Sequence, residues 1–222
     1  MGYTDAFGLM PLREKISSYY KKKHFDDGVP EERIDARRIV VTTGSSGAFL
    51  LAFTACFDTG DVVAVASSGY PCYRNILQAL GCELANVPIN DEFKLTATEL
   101  RNEIQRRKDS GKSMLKGLIL SSPSNPTGAM LSPDELKDLC ELCDEEGIRF
   151  LSDEIYHGEW QMFTSFSSSL HYFPFLPFHY WAHLNLEHFS IKKESLMESK
   201  KPPLFNFPLP LLLSTASPST IP

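Results

Sequence analysis

Short apolar runs alternate with longer amphipathic segments along most of this 222-residue chain. The apolar runs are continuous rather than alternating, which is typical of strands that are buried on both faces of a parallel sheet. Strands are predicted at Arg38–Thr43, Asp61–Ala66, Glu83–Ile89, Leu115–Ser121 and Ile148–Ser152. The pattern therefore predicts an α/β fold with a mainly parallel sheet flanked by helices.

The segments between the apolar runs have helical spacing. Helices are predicted over residues 9–25, Ser46–Phe57, Tyr73–Leu80, Thr96–Lys108 and Ser132–Gly147. Two of these helices open on a capping box, in which an N-cap hydroxyl and a glutamate three residues later satisfy each other's backbone donors. The two boxes pair Thr96 with Glu99 and Ser132 with Glu135.

The alternation stops near Gly158. Beyond it, aromatic, proline and serine residues crowd together without a strand or helix period, and the prolines of PFLPF and FPLPL interrupt regular structure. We therefore divide the chain into an N-terminal helical segment (1–37), an α/β domain (38–158) and a divergent, irregular tail (159–222). A translated non-coding stretch or an altered splice end would produce such a tail, and an ordinary but unusual tail is the alternative.

Composition limits the kinds of partner and the cellular compartment that we expect for this protein. The formal net charge is −6, which gives no reason to expect nucleic acid or an anionic membrane as a partner. No apolar run reaches the ~18 residues of a membrane span, and the N-terminus has no secretory pattern. We expect a cytoplasmic protein, and an organellar transit peptide stays possible because the N-terminus looks incomplete.

The five cysteines are scattered, which argues against a disulfide framework. Cys140 and Cys143 have the CxxC spacing of zinc and redox sites, but no second pair follows them. Both fall on the apolar face of a predicted helix. We therefore expect buried core thiols and no metal site.

Residues with candidate functional roles lie directly after the predicted strands. Each such segment alone is more often structural than functional, but in an open parallel sheet ligands bind at the carboxyl ends of the strands. The segments are Gly44-Ser45-Ser46-Gly47, the loop containing Tyr70, the turn Asn125-Pro126-Thr127-Gly128, and the segment from Asp153 to Tyr156.

These side chains suit one kind of ligand. Small residues at a helix N-terminus leave backbone N–H groups for a phosphate, and Ser45 and Ser46 add hydroxyls. Tyr70 offers a ring for a flat ligand, Asn125 an amide donor, and Asp153 a carboxylate for a cationic ring nitrogen. A flat ring with a phosphate, a phenolate oxygen and a protonatable nitrogen describes pyridoxal 5'-phosphate.

The segments TTGSSGAF, GYPCY, SNPTG and SDEIYHG, in that order, resemble the class I/II aminotransferases, which are fold-type I enzymes dependent on pyridoxal phosphate. The resemblance covers roughly residues 3–158 and implies a partial large domain with the small domain absent. It implies an amino acid and a 2-oxo acid as substrates, and a homodimer in which two subunits complete each site.

The resemblance also implies residue roles. Ser45 and Ser46, with the backbone of Gly44 and Gly47, would hold the cofactor phosphate. Tyr70 would stack on the ring and Asp153 would pair with its nitrogen. Asn125 and Tyr156 would bind the ring oxygen O3′, and Tyr3 would reach the phosphate of the neighbouring subunit.

The catalytic lysine of the family cannot be identified, so no catalytic residue is assigned. Lys192, Lys193, Lys200 and Lys201 follow at suitable distances but lack the arginine expected after them. We therefore expect negligible transaminase activity from this chain alone. Two alternatives stay open: a fold-type I lyase or synthase, and a non-catalytic truncated fragment.

Overall fold

The computed structural model describes residues 3–23 and 34–156, together with the backbone of three short strands farther along the chain. The helices are α1 (Met10–Lys23), α2 (Gly44–Cys56), α3 (Pro71–Ala79), α4 (Ala97–Asp109) and α5 (Pro133–Glu145). The strands are β1 (Ile39–Thr42), β2 (Val62–Ala66), β3 (Glu83–Val87), β4 (Leu115–Ser121), β5 (Arg149–Asp153), β6 (Tyr180–Ala182), β7 (Phe189–Ser190) and β8 (Leu211–Ser214).

The strands form a mainly parallel sheet system, as predicted. One sheet has the order β3-β2-β4-β5-β6 with all of its pairs parallel. In the other sheet β8 lies between β1 and β7, parallel to β1 and antiparallel to β7. The division of the chain at residues 37 and 158 stays a prediction.

Strand β2 shows how the apolar runs build two separate halves of the core. Every residue of β2 is buried. Val62 and Ala64 pack into a cluster with side chains of α4 and α5, whereas Val63 and Val65 pack into a cluster with side chains of α2 and α3. Successive side chains of a strand point to opposite faces, so a continuous apolar run is what a sheet covered on both faces requires.

The predicted helix starts are confirmed at α4 and α5. Both capping boxes form: the Thr96 hydroxyl accepts a hydrogen bond from the Thr98 N–H while Glu99 accepts from the Thr96 N–H, and Ser132 and Glu135 make the reciprocal pair. These contacts satisfy backbone donors that the first helical turn would otherwise leave without partners.

The CxxC cysteines are buried thiols, as predicted. Cys140 and Cys143 have no exposed surface, neither forms a disulfide, and burial raises the pKa of both thiols. Across residues 3–23 and 34–156, no group of three His, Cys, Asp or Glu side chains could hold a metal ion. In the same ranges, no helix combines the length and apolarity needed to cross a bilayer.

Gly117 in the middle of β4 is a point of close packing that a side chain would disturb. A Cβ atom built there would lie 2.2 Å from the Phe57 ring, well inside van der Waals contact. We expect Gly117→Ala to lower the free energy of unfolding by about 2 kcal/mol, measured by urea denaturation. In a Phe57→Leu background the same change should cost clearly less, since the ring is gone. An equal cost in both backgrounds would contradict this account of the packing.

Candidate cofactor-binding site

A cavity lies where β2 and β4 end. It is lined by residues of both strands and of the loops that follow them, and its walls combine apolar strand residues with hydroxyl, phenol and amide groups. The lining residues are Ala66, Gly69, Tyr70, Tyr73, Ile119, Leu120, Ser121, Ser124 and Asn125. The structure thus brings two of the predicted site residues, Tyr70 and Asn125, to one cavity although 55 positions separate them in the sequence.

The loop that carries Asn125 is held by its own backbone. The Ser124 N–H donates to the Ala129 carbonyl at 2.8 Å, and the Gly128 N–H donates to the Ser124 carbonyl at 2.7 Å. Gly128 has φ = +71°, in the left-handed region that glycine adopts without strain. The closed loop holds the Asn125 backbone in place at the cavity, where its side-chain amide can meet a ligand.

Asp153 is the last residue of β5 and is only 4% exposed. Its Oδ1 accepts a hydrogen bond from the Ile155 N–H at 3.1 Å, and its Oδ2 accepts one from the Tyr73 hydroxyl. Burial raises the pKa of Asp153 to about 7, against the lowering effect of these two hydrogen bonds, and the neighbouring Glu154 raises it further. No cation of the described residues compensates the carboxylate, so a cationic ligand group would stabilise its ionised form.

Tyr73 is a site residue that the sequence analysis missed. It is 2% exposed, lines the cavity and donates to Asp153. The sequence analysis placed it at the end of the GYPCY segment and at the start of a predicted helix, and gave it no role. One signal could have found it: Tyr70 and Tyr73 are three positions apart at the start of α3, a spacing that puts two side chains on one face. Their rings do meet edge-to-face, with centroids 5.6 Å apart.

The first turn of α2 holds the predicted phosphate-binding segment Gly44-Ser45-Ser46-Gly47. The N-cap residue Thr43 makes no side-chain hydrogen bond to the helix. This contrasts with α4 and α5, whose first turns are closed by capping boxes. Helix α2 therefore keeps backbone N–H groups and the positive end of its dipole available to an anion.

A contact between two helices places this turn beside the Tyr70 loop. The Ser46 hydroxyl lies 3.8 Å from the Cys72 thiol in the first turn of α3, and Tyr70 is the N-cap of that helix. The predicted phosphate and ring contacts therefore come from adjacent helix N-termini.

Seven of the nine predicted site residues do not line the cavity. Asp153 is connected to it through Tyr73, and the segment Gly44-Ser45-Ser46-Gly47 lies beside the Tyr70 loop. Tyr3 is fully exposed and Tyr156 is 37% exposed. The roles of all nine residues stay predictions. The four candidate lysines, Lys192, Lys193, Lys200 and Lys201, lie outside the described residues.

The chain belongs to the aminotransferase class I and II family, whose model matches residues 1–166. It is 44% identical over 159 residues to a valine–pyruvate aminotransferase of Mycobacterium tuberculosis, covering 71% of this chain and 38% of that protein. It is 33% identical over 156 residues to a (5-formylfuran-3-yl)methyl phosphate transaminase of Methanocaldococcus jannaschii, covering 70% of this chain and 36% of that protein.

A solved structure supports the same family assignment. An aminotransferase from Mycobacterium tuberculosis aligns with a TM-score of 0.69 at 39% identity, over 83% of this chain and 45% of that chain. Enzymes of this family are generally dependent on pyridoxal phosphate and move amino groups between amino acids and oxo acids. The chain spans less than two fifths of the length of these two curated relatives.

The raised pKa of Asp153 predicts a pH-dependent contribution to stability. The folded chain holds this proton up to about pH 7, whereas an unfolded aspartate releases it near pH ~3.9. The contribution is therefore complete below about pH 4 and is lost as the pH rises through about 7. For a buried group with a shift of this size, the loss is about 4 kcal/mol.

The measurement is the free energy of unfolding of the full chain and of Asp153→Asn from about pH 4 to about pH 8, without cofactor. The stability of the variant relative to the unmodified chain should rise over this range. Asp91→Asn makes the same substitution at an exposed position and is the matched control. A constant difference between the unmodified chain and Asp153→Asn would show that Asp153 does not titrate as described.

Proposed function

We propose that this chain binds pyridoxal 5'-phosphate non-covalently at the carboxyl ends of its strands and provides the cofactor-gripping part of an aminotransferase site. The observation that carries the proposal is the buried Asp153 carboxylate, held by two hydrogen-bond donors close to a cavity lined by Tyr70 and Asn125. A protonated pyridine nitrogen provides the positive charge that this carboxylate lacks among the described residues.

In this proposal, four segments of the chain bind different parts of the cofactor. The first turn of α2, with Ser45 and Ser46, takes the phosphate. Tyr70 takes a face of the ring, and Asn125 together with Tyr156 takes the ring oxygen. Support for this division comes from the uncapped start of α2, the contact between Ser46 and Cys72, and the shared cavity.

Asp153 has the central chemical role. An ionised carboxylate next to the ring nitrogen raises the pKa of that nitrogen and keeps it protonated. With its ring kept protonated by Asp153, the cofactor would supply an electron sink for proton loss at the substrate α-carbon. Burial of Asp153 strengthens this pairing, because water does not screen the two charges.

The proposed substrates are an amino acid and a 2-oxo acid, as in the family. A homodimer in which Tyr3 reaches the neighbouring subunit's phosphate is part of the same proposal. Since no lysine is assigned to carry the cofactor or the substrate proton, we propose that the chain grips the cofactor without turning over substrate by itself.

Binding can be measured with pyridoxine 5'-phosphate, which has no aldehyde and so cannot react with surface lysines. We expect saturable binding to the full chain, followed by fluorescence. Asp153→Asn should weaken it about 10- to 100-fold, the value of a hydrogen bond to a charged group. Asn125→Ala should weaken it several-fold, while Asn102→Ala on the exposed face of α4 serves as control.

Two results would contradict the proposal. One is the absence of saturable binding by the folded, unmodified chain. The other is equal affinity of the unmodified chain and Asp153→Asn. Separately, borohydride treatment with pyridoxal 5'-phosphate should leave no cofactor specifically attached to Lys192 or Lys193. Specific attachment there would identify a catalytic lysine and overturn the prediction of inactivity.

The phosphate site can be tested by a single charge. Ser46→Asp places a negative charge at the N-terminus of α2, where the dipole favours it, so the helix should remain stable. The same charge repels a phosphate, and we expect pyridoxine 5'-phosphate to bind about tenfold more weakly. Pyridoxine without the phosphate should bind equally to both proteins.

Ser113→Asp is the matched control for this change, because Ser113 is an exposed residue two positions before β4, at the opposite end of that strand from the candidate site. It should leave both ligands unaffected. If Ser46→Asp weakens pyridoxine as much as its phosphate ester, the phosphate does not bind at α2.

A further inference from the structure

We infer that Tyr73 is a positioning residue, which holds the Asp153 carboxylate in place for the ring nitrogen. This inference rests on the proposed function, because it assigns Tyr73 a task in the same site. Tyr73 acts through Asp153 and need not touch the ring nitrogen itself.

The Tyr73 ring is fixed by aromatic neighbours. It meets Phe49 edge-to-face with centroids 5.0 Å apart, and it also contacts Phe53 at 6.5 Å and Tyr70 at 5.6 Å. Phe49 and Phe53 lie on α2, so the helix of the proposed phosphate site packs against the ring. With the ring held on several sides, the direction of its hydroxyl is set by packing.

The Tyr73 hydroxyl joins the segment after β2 to the end of β5. A phenol has a single proton, and Tyr73 donates it to Oδ2 of Asp153, the last residue of β5. The first turn of α3 and the end of β5 are thereby connected through one buried hydroxyl.

The charges around this pair keep Tyr73 a donor. Burial raises the pKa of Tyr73 well above its usual value, and Asp153 and Cys72 raise it further while Ser121 lowers it. Tyr73 therefore stays a neutral phenol across the physiological pH range. Its hydrogen bond lowers the pKa of Asp153, which burial and Glu154 raise. Removing the hydroxyl leaves the carboxylate with the Ile155 N–H alone.

Tyr73→Phe tests the inference in the protein without cofactor, because it deletes the hydroxyl and keeps the ring packing. The readout is the titration of the Asp153 side-chain carboxyl by 13C NMR, assigned with Asp153→Asn. Loss of a hydrogen bond to a charged acceptor should shift its midpoint upward by about one to two pH units. Tyr19→Phe, at an exposed position, is the matched control. An unchanged midpoint in Tyr73→Phe overturns the inference.

Binding of pyridoxine 5'-phosphate supplies the second readout. At about pH 7.5, Tyr73→Phe should bind about tenfold more weakly, because most of its Asp153 is protonated there. The deficit should shrink as the pH approaches about 9 and the carboxylate ionises. A deficit of the same size at every pH would mean that the hydroxyl has only a structural role, and it would overturn the inference.

The two hypotheses fail in different ways. If the unmodified chain does not bind pyridoxine 5'-phosphate, the proposed function fails, while the carboxyl titration still tests the link between Tyr73 and Asp153. If the unmodified chain binds and Tyr73→Phe behaves identically, only the inference fails. Should Tyr73→Phe not fold, 1H NMR of the unmodified chain decides: a Tyr73 hydroxyl proton protected from exchange supports the inference, and its absence overturns it.

Discussion

The rest of this site depends on a carboxylate that is buried without a balancing cation among the residues that the structure describes. Removing Asp153 from water disfavours its charged form, and two donors offset only part of that penalty. The surrounding structure is arranged around those donors: a strand that ends at the carboxylate, a backbone N–H two residues later, and a phenol set by aromatic packing. A cationic ligand group would complete the electrostatic balance, which is why the site suits a protonated pyridine ring.

The parallel sheet explains why these groups meet. All neighbouring strands of the larger sheet run in one direction, so the loops that follow β2, β4 and β5 share an edge. The helices that start at this edge differ in one respect. Capping boxes close the first turns of α4 and α5, whereas α2 and α3 begin without a side-chain cap. The two helices without a side-chain cap are the two that contribute to the candidate site. Their first turns lack the stabilisation of a cap, and a bound ligand can accept hydrogen bonds from the same backbone N–H groups.

Much of this fold was predictable because it follows from local patterns. The continuous apolar runs, the two capping boxes and the buried face of α5 depend on periodicity and on residues three positions apart. The end of β5 was harder to predict: aspartate is disfavoured in strands, and Asp153 joins β5 because it pairs with β4 at Ser121 and with β6 at Ala182. These pairings are tertiary contacts with no signal in the sequence around Asp153.

The candidate site was predictable in part for a related reason. Their chemistry at strand ends and the motif resemblance singled out Tyr70, Asn125 and Asp153, whereas Tyr73 was part of the GYPCY motif without a role of its own. Its partner Asp153 is 80 positions away in the sequence, so no local pattern predicts the contact. The proposed roles of Tyr3 and Tyr156 would depend on a neighbouring subunit and a bound cofactor, and neither is encoded in the spacing of residues along one chain. The family relationship covers the residues that we propose to bind the cofactor and leaves the lysine chemistry unassigned.

The central claim is that the loops at this edge grip pyridoxal phosphate, with Asp153 at the ring nitrogen. A crystal structure of the full chain with pyridoxamine 5'-phosphate tests it most directly. The account predicts the phosphate at the first turn of α2 and the ring nitrogen within hydrogen-bond distance of the Asp153 carboxylate. Ligand bound elsewhere, or bound here with its ring nitrogen facing away from Asp153, would contradict it.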